Sequence, residues 1–137
     1  SKILLDRIDR IFNRKIKNKI ITFLGVTFKA NTDDMRDSSS LKMIPWLSKK
    51  GAIIKYFDPT GYKTEFKKFK NVINKTSIKD AVHGADLVII HTEWNDFKSI
   101  NFKSLVKGKK FMIFDMRNIY SSSKIKDQGF KYFSVGK

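Results

Sequence analysis

Cysteine is absent from the 137 residues, so neither a disulfide framework nor a thiolate zinc site can be built. Histidine is nearly absent. His83 and His91 share no short ligand spacing, and no metal site is expected. Long apolar runs are missing too: residues 87–90 and 111–114 fall far short of the roughly 20 residues of a membrane-spanning helix, and no signal-peptide pattern opens the chain. Together these absences point to a soluble, cytoplasmic protein with no membrane partner.

Acidic residues are also scarce, 13 against 29 Lys and Arg, giving a net charge of +16. A field of that sign draws phosphates and acidic partners, so a basic nucleic-acid-binding module is one reading. The lysines, however, are spread along the sequence among Asn, Ile and Phe, with no basic tail and no RNA-binding consensus. A solvated, lysine-rich surface accounts for them better. What the chain does contain is a core. With 41% hydrophobic residues and 12 Phe, a chain of this length folds as one main domain rather than remaining disordered.

The most informative stretch is residues 19–39. Ile20, Ile21, Phe23, Leu24 and Val26 form a near-continuous apolar run, which suits a parallel strand covered on both faces. Asp33, Asp34, Asp37 and Ser38 to Ser40 then offer N-cap chemistry to the apolar-periodic residues 41–47. In open α/β sheets ligands sit outside the carboxyl ends of the strands, so the loop at residues 27–37, with its cations Lys29 and Arg36, is the place for a small molecule. A dinucleotide-binding turn would carry G-x-G-x-x-G here, but Gly25 stands alone. Any phosphate held in this crevice must rely mainly on side-chain charge.

Elsewhere, residues 1–18 place Leu4, Ile8, Ile11, Phe12 and Ile16 at helical steps, an apolar stripe that must pack on something. Pro45 falls inside the helix expected over residues 41–50, which favours a kink or a late start. Asp58, after the strand at residues 52–57, reads either as a ribose acceptor or as a turn residue before Pro59 and Gly61. The stretch 62–70 mixes rings and lysines, suiting either base stacking or a surface loop that tucks its rings inward. Short strands are expected at 71–74, 86–91, 111–114 and 130–135, with helices at 78–82, 102–106 and 121–128. Strand and helix in alternation give an α/β fold, a Rossmann-like, doubly wound, mostly parallel sheet with flanking helices. Lys29, Thr92 with Glu93, and Arg117 all follow strands, and a parallel sheet brings them to one edge. There a lysine point charge and a planar arginine fork suit a diphosphate or a carboxylate, the alternative being plain surface cations.

The run from Leu24 to Ser38, LGVTFKANTDDMRDS, resembles the opening of the C-terminal domain of the UDP-glucose/GDP-mannose dehydrogenase family. The resemblance continues in order through Gly51-Ala52 and Tyr56-Phe57-Asp58-Pro59, Ala85-Asp86, Thr92-Glu93-Trp94, and Phe114-Asp115-Met116-Arg117-Asn118. It implies a UDP-sugar-binding domain over residues 19–137, with residues 1–18 the end of a linker helix from an upstream part. The chain opens mid-pattern and without Met, and reads as a piece of a larger protein. By the same resemblance Phe28, Lys29 and Arg117 contact the UDP-sugar, and Arg36 reaches toward NAD, held mainly by the missing N-terminal domain. The whole enzyme is implied to be a homodimer serving polysaccharide biosynthesis. It would oxidise a sugar C6 alcohol to a carboxylate in two steps, using two NAD and a catalytic Cys with its attendant Lys and Asp. Lacking that Cys and the glycine fingerprint, this chain has no assignable catalytic residue and is expected to be inactive alone. Within the family it looks most like the members acting on UDP-glucose, with another UDP- or GDP-sugar as the alternative.

Overall fold

The structure, a computed structural model, describes residues 2–136, so Ser1, where the expected first helix opens, lies outside the described residues. Six strands, β1 (Ile20–Leu24), β2 (Ile53–Phe57), β3 (Val72–Asn74), β4 (Leu87–Ile90), β5 (Met112–Asp115) and β6 (Tyr132–Ser134), form one sheet. Its order is β3-β2-β1-β4-β5-β6, and every pairing is parallel, so "mostly parallel" becomes entirely parallel. Helices α1 (Lys2–Ile11), α2 (Ser40–Lys49), α3 (Ile78–Val82), α4 (Asn95–Lys98) and α5 (Ser122–Asp127) supply the crossovers and flanks.

The apolar runs do what their composition dictates. All of β4 is buried, because alternate side chains enter two separate cores. Ile21, Phe23, Leu87, Ile89 and Phe114 face one core, with α1 and α2. Leu24, Val88, Ile90 and Ile113 face the other, with α3 and Phe97 of α4. Among the described residues no helix is long and apolar enough to cross a membrane.

Three local expectations change. The first helix stops at Ile11 rather than continuing to residue 18, because Asn13, Arg14 and Asn18 take left-handed backbone angles that no helix continues through. Its stripe nevertheless packs on the sheet through Leu5 and Ile8, followed by Phe12 and Ile16. Pro45 sits inside a continuous α2; Met43, Ile44 and Leu47, all fully buried, hold the helix despite one lost hydrogen bond. Finally, no side chain caps α2. The serines are used elsewhere, to tie down the loop before it.

Candidate functional site

The strand order reverses direction between β1 and β4, and the crevice of such a sheet opens at the carboxyl ends of those two strands. Gly25 leaves β1 at φ +79°, and a Cβ there would lie 2.6 Å from Cβ of Thr92. The glycine therefore serves close packing of the two strand ends.

Beyond Gly25 the loop is held by buried polar groups. Asp58 Oδ2 accepts from the Val26 amide at 2.8 Å, and its Oδ1 accepts from the amide and hydroxyl of Thr60 at 2.9 and 2.6 Å. Asp58 is only 2% exposed, so it is the turn residue of the two readings and has no oxygen turned out to a ribose. Ser38 and Ser40 each donate to the carbonyl of Val26 at 2.6 Å. Inside the loop the Phe28 amide donates to the carbonyl of Asp34 at 3.0 Å.

A chain of hydrogen bonds then crosses from α2 to β4 and back. Ser39 Oγ lies 2.9 Å from His91 Nε2, and His91 Nδ1 lies 2.9 Å from Thr92 Oγ1. Thr92 Oγ1 in turn donates to the carbonyl of Thr27 at 2.9 Å, and Thr27 Oγ1 donates to the carbonyl of Lys29 at 3.0 Å. His91 is fully buried, and burial, reinforced by the charge of Arg117, lowers its pKa to about 3. The imidazole is neutral and carries one proton.

The four expected contact residues fall into two groups. Phe28 and Lys29 stand exposed at the loop tip, Phe28 at 45%, and among the described residues the Lys29 ammonium makes no hydrogen bond or ion pair, its charge acting at longer range on Asp34. Arg117, past the end of β5, spends only its Nε: it donates to the carbonyl of His91 at 2.8 Å and lies 3.3 Å from Glu93 Oε2. Among the described residues neither terminal guanidinium nitrogen makes a hydrogen bond. Arg36 behaves differently. Its Nε and Nη2 grip Asp34 at 3.0 and 2.9 Å, which lowers the Asp34 pKa to about 2, while the arginine side chain stays 88% exposed. Thr92 and Trp94, expected only to lie near the edge, are buried into the scaffold, Trp94 Nε1 donating to Thr27 Oγ1 at 3.3 Å.

Two determinants escaped the sequence reading. His91 passed as a histidine of no metal value, and Asp115 as part of a motif. Asp115 is fully buried and accepts from the Arg117 and Tyr120 amides at 3.0 and 3.1 Å and from the Tyr132 hydroxyl at 2.7 Å. Burial and this carboxylate push the Tyr132 phenol up. The available signal was polarity at the end of a buried strand, where a side chain without a partner would be costly.

The opposite edge of the sheet holds a cavity of about 420 Å³ lined by Lys19, Lys109, Lys110 and Lys131. Lys109 pairs with Asp86 there, and Lys110 donates to the carbonyl of Gln128 at 2.7 Å. Among the described residues no cluster of three His, Asp or Glu gathers that could hold a metal.

The sequence model described as the UDP-glucose/GDP-mannose dehydrogenase family, UDP binding domain, matches residues 22–122. A UDP-glucose 6-dehydrogenase of Rickettsia felis is 35% identical over 136 residues, covering 97% of this chain and 30% of the relative. The chain thus spans about a third of such relatives. Among solved structures, a UDP-D-ManNAc dehydrogenase from Pyrococcus horikoshii superposes with a TM-score of 0.73 at 29% identity, over 97% of this chain and 29% of that one. An NDP-N-acetyl-D-galactosaminuronic acid dehydrogenase from Methanosarcina mazei reaches 0.80 at 20% identity, over 98% and 28%, and shares the fold.

Proposed function

This chain belongs to the UDP-glucose/GDP-mannose dehydrogenase family, matching its UDP binding domain, and we propose that its crevice holds the UDP moiety of a nucleotide sugar for a larger NAD-dependent enzyme. The reading rests on one observation above all. At the carboxyl ends of β1 and β5 the chain presents the Lys29 ammonium and the two terminal nitrogens of Arg117, none of them hydrogen-bonded among the described residues, together with the exposed ring of Phe28. A lysine point charge and an arginine fork bind the two charged groups of a diphosphate, and the ring gives an apolar surface alongside.

The reaction of the whole protein is, on this reading, that of a UDP-glucose 6-dehydrogenase, converting UDP-glucose to UDP-glucuronate in the cytoplasm as a homodimer. A hydride acceptor and a thiol nucleophile come from an upstream part, since the chain has no cysteine. Arg36, braced by Asp34 and projecting outward, is the residue that reaches a dinucleotide held on the other side. This chain's own work is to bind and orient the substrate.

Titration calorimetry of the purified chain with UDP, with GDP and with a DNA duplex tests this. UDP binding weakened about ten- to a hundredfold by Lys29→Ala and by Arg117→Ala is expected, the loss of one charged hydrogen bond each. Absent UDP binding, or DNA binding that survives 0.15 M salt, overturns it.

A further inference from the structure

We infer that His91 is a positioning residue for the phosphate-facing loop, pinning both ends of residues 27–39 through its two ring nitrogens and thereby holding Lys29 in place. The inference rests on the UDP-binding reading above for its functional consequence, and on hydrogen-bond geometry for its structural content.

The direction of the hydrogen-bond chain follows from counting protons. Thr92 has one hydroxyl proton, and it goes to the carbonyl of Thr27 at 2.9 Å, which can only accept. Toward His91, 2.9 Å away, Thr92 Oγ1 must therefore be the acceptor, so the ring proton sits on Nδ1. Nε2 is then bare and accepts from the Ser39 hydroxyl at 2.9 Å. One neutral ring thus receives from the start of α2 and donates toward the exit of β1, and the loop carrying Phe28, Lys29 and Arg36 is strung between those two points. Thr27 passes the restraint on, donating to the carbonyl of Lys29 itself at 3.0 Å. A doubly protonated ring would reverse one link, with Nε2–H donating to the Ser39 hydroxyl instead of accepting from it. The backbone of the same residue serves the other cation: the His91 carbonyl holds Arg117 Nε at 2.8 Å. His91 touches no ligand in this scheme and acts through Lys29.

The two ring nitrogens can be separated by substitution. An asparagine amide nitrogen can stand where Nδ1–H stood and keep the bond to Thr92, whereas leucine fills the volume beside Phe23 and makes neither bond. Expected for His91→Leu is UDP binding about tenfold weaker. It should also bring faster hydrogen exchange at the Phe28 amide, which in the intact loop donates to Asp34 at 3.0 Å. His91→Asn should lie between His91→Leu and the unchanged chain on both readouts. In a Lys29→Ala background His91→Leu should cost no further affinity, because a residue that acts through Lys29 has nothing left to position. Unchanged Phe28 exchange in a folded His91→Leu chain overturns the inference whatever UDP does. Additive losses in the double variant also overturn it, since they describe general damage to the domain. Failure of the unchanged chain to bind UDP overturns the UDP-binding reading instead, and Phe28 exchange still decides the role of His91.

Discussion

Arg117 reaches His91 at its main chain, not its ring: the guanidinium Nε donates to the His91 carbonyl at 2.8 Å, joining the end of β5 to the end of β4. Because a carbonyl cannot be mutated away, the aim of Arg117 is set by the sheet's register, Ile89 beside Phe114 and Ile90 beside Asp115. Three groups fix the arginine: that carbonyl, Glu93, and Asp115, which accepts the Arg117 amide at 3.0 Å.

Asp115→Ala should cost about 3 kcal/mol of stability, since it strands two amides and the Tyr132 hydroxyl in a buried site where each unmet donor costs on the order of 1 to 3 kcal/mol. It should also release Arg117 and weaken UDP. Tyr132→Phe removes one donor and leaves the amides served, so a loss near 1 kcal/mol is expected. Denaturant melts of both variants check this, and equal losses would contradict the hub role of the carboxylate.

Gly25→Ala should destabilise by about 3 kcal/mol, from a left-handed backbone angle together with a methyl group driven against Thr92. Thr92→Ser keeps both atoms that the new methyl would strike, Cβ and Oγ1, and should recover little of the loss. Thermal unfolding of the single and double variants gives the comparison.

Arg36→Ala should barely move stability, because the ion pair with Asp34 is exposed to solvent. In a complete enzyme it should raise the KM for NAD and leave the KM for the UDP-sugar nearly alone, while Lys29→Ala does the reverse. Equal effects of each variant on both substrates would show that the Asp34–Arg36 pair merely shapes the loop.

Acid should expose the cost of burying His91. Its folded pKa, about 3, lies below the ordinary 6.5 because burial, then the Arg117 charge, opposes protonation. Below pH 6.5 the unfolded chain takes up a proton that the folded chain refuses, so stability falls as pH drops from 6.5 toward 3, by up to about 1.4 kcal/mol per pH unit. Above 6.5 this contribution is flat. His91→Asn should flatten the acid slope, which chemical denaturation at pH 4, 5, 6 and 7 measures; an unchanged slope would mean that other groups govern it.

Much of the architecture was legible because buried parallel strands write themselves as unbroken apolar runs, as in residues 87–90, and because Gly51, Gly84 and Gly129 mark where helices stop. The edge on which Lys29 and Arg117 stand followed from each of them coming after a strand of a parallel sheet. The polar scaffold beneath them did not. A serine before a helix looks like a cap, yet Ser38 and Ser40 are spent on Val26 and Ser39 on His91, partners that only the tertiary fold brings near. The end of the first helix was invisible for a similar reason: the apolar steps run on through Phe12 and Ile16, and only the backbone angles of Asn13 and Arg14 show that the chain has already turned.

The strand order has a consequence for how the chain is made. β1 is central in space but first in sequence, and its second neighbour, β4, is synthesised only after β2, β3 and α3. A ribosome-bound intermediate can therefore complete the β3-β2-β1 half while the other edge of β1 stays unpaired, offering Ile21 to Leu24 to any passing strand until Leu87 to Ile90 emerge. The first half of the molecule waits for the second, and the candidate site, which needs both β1 and β4, comes into being only when that seam closes.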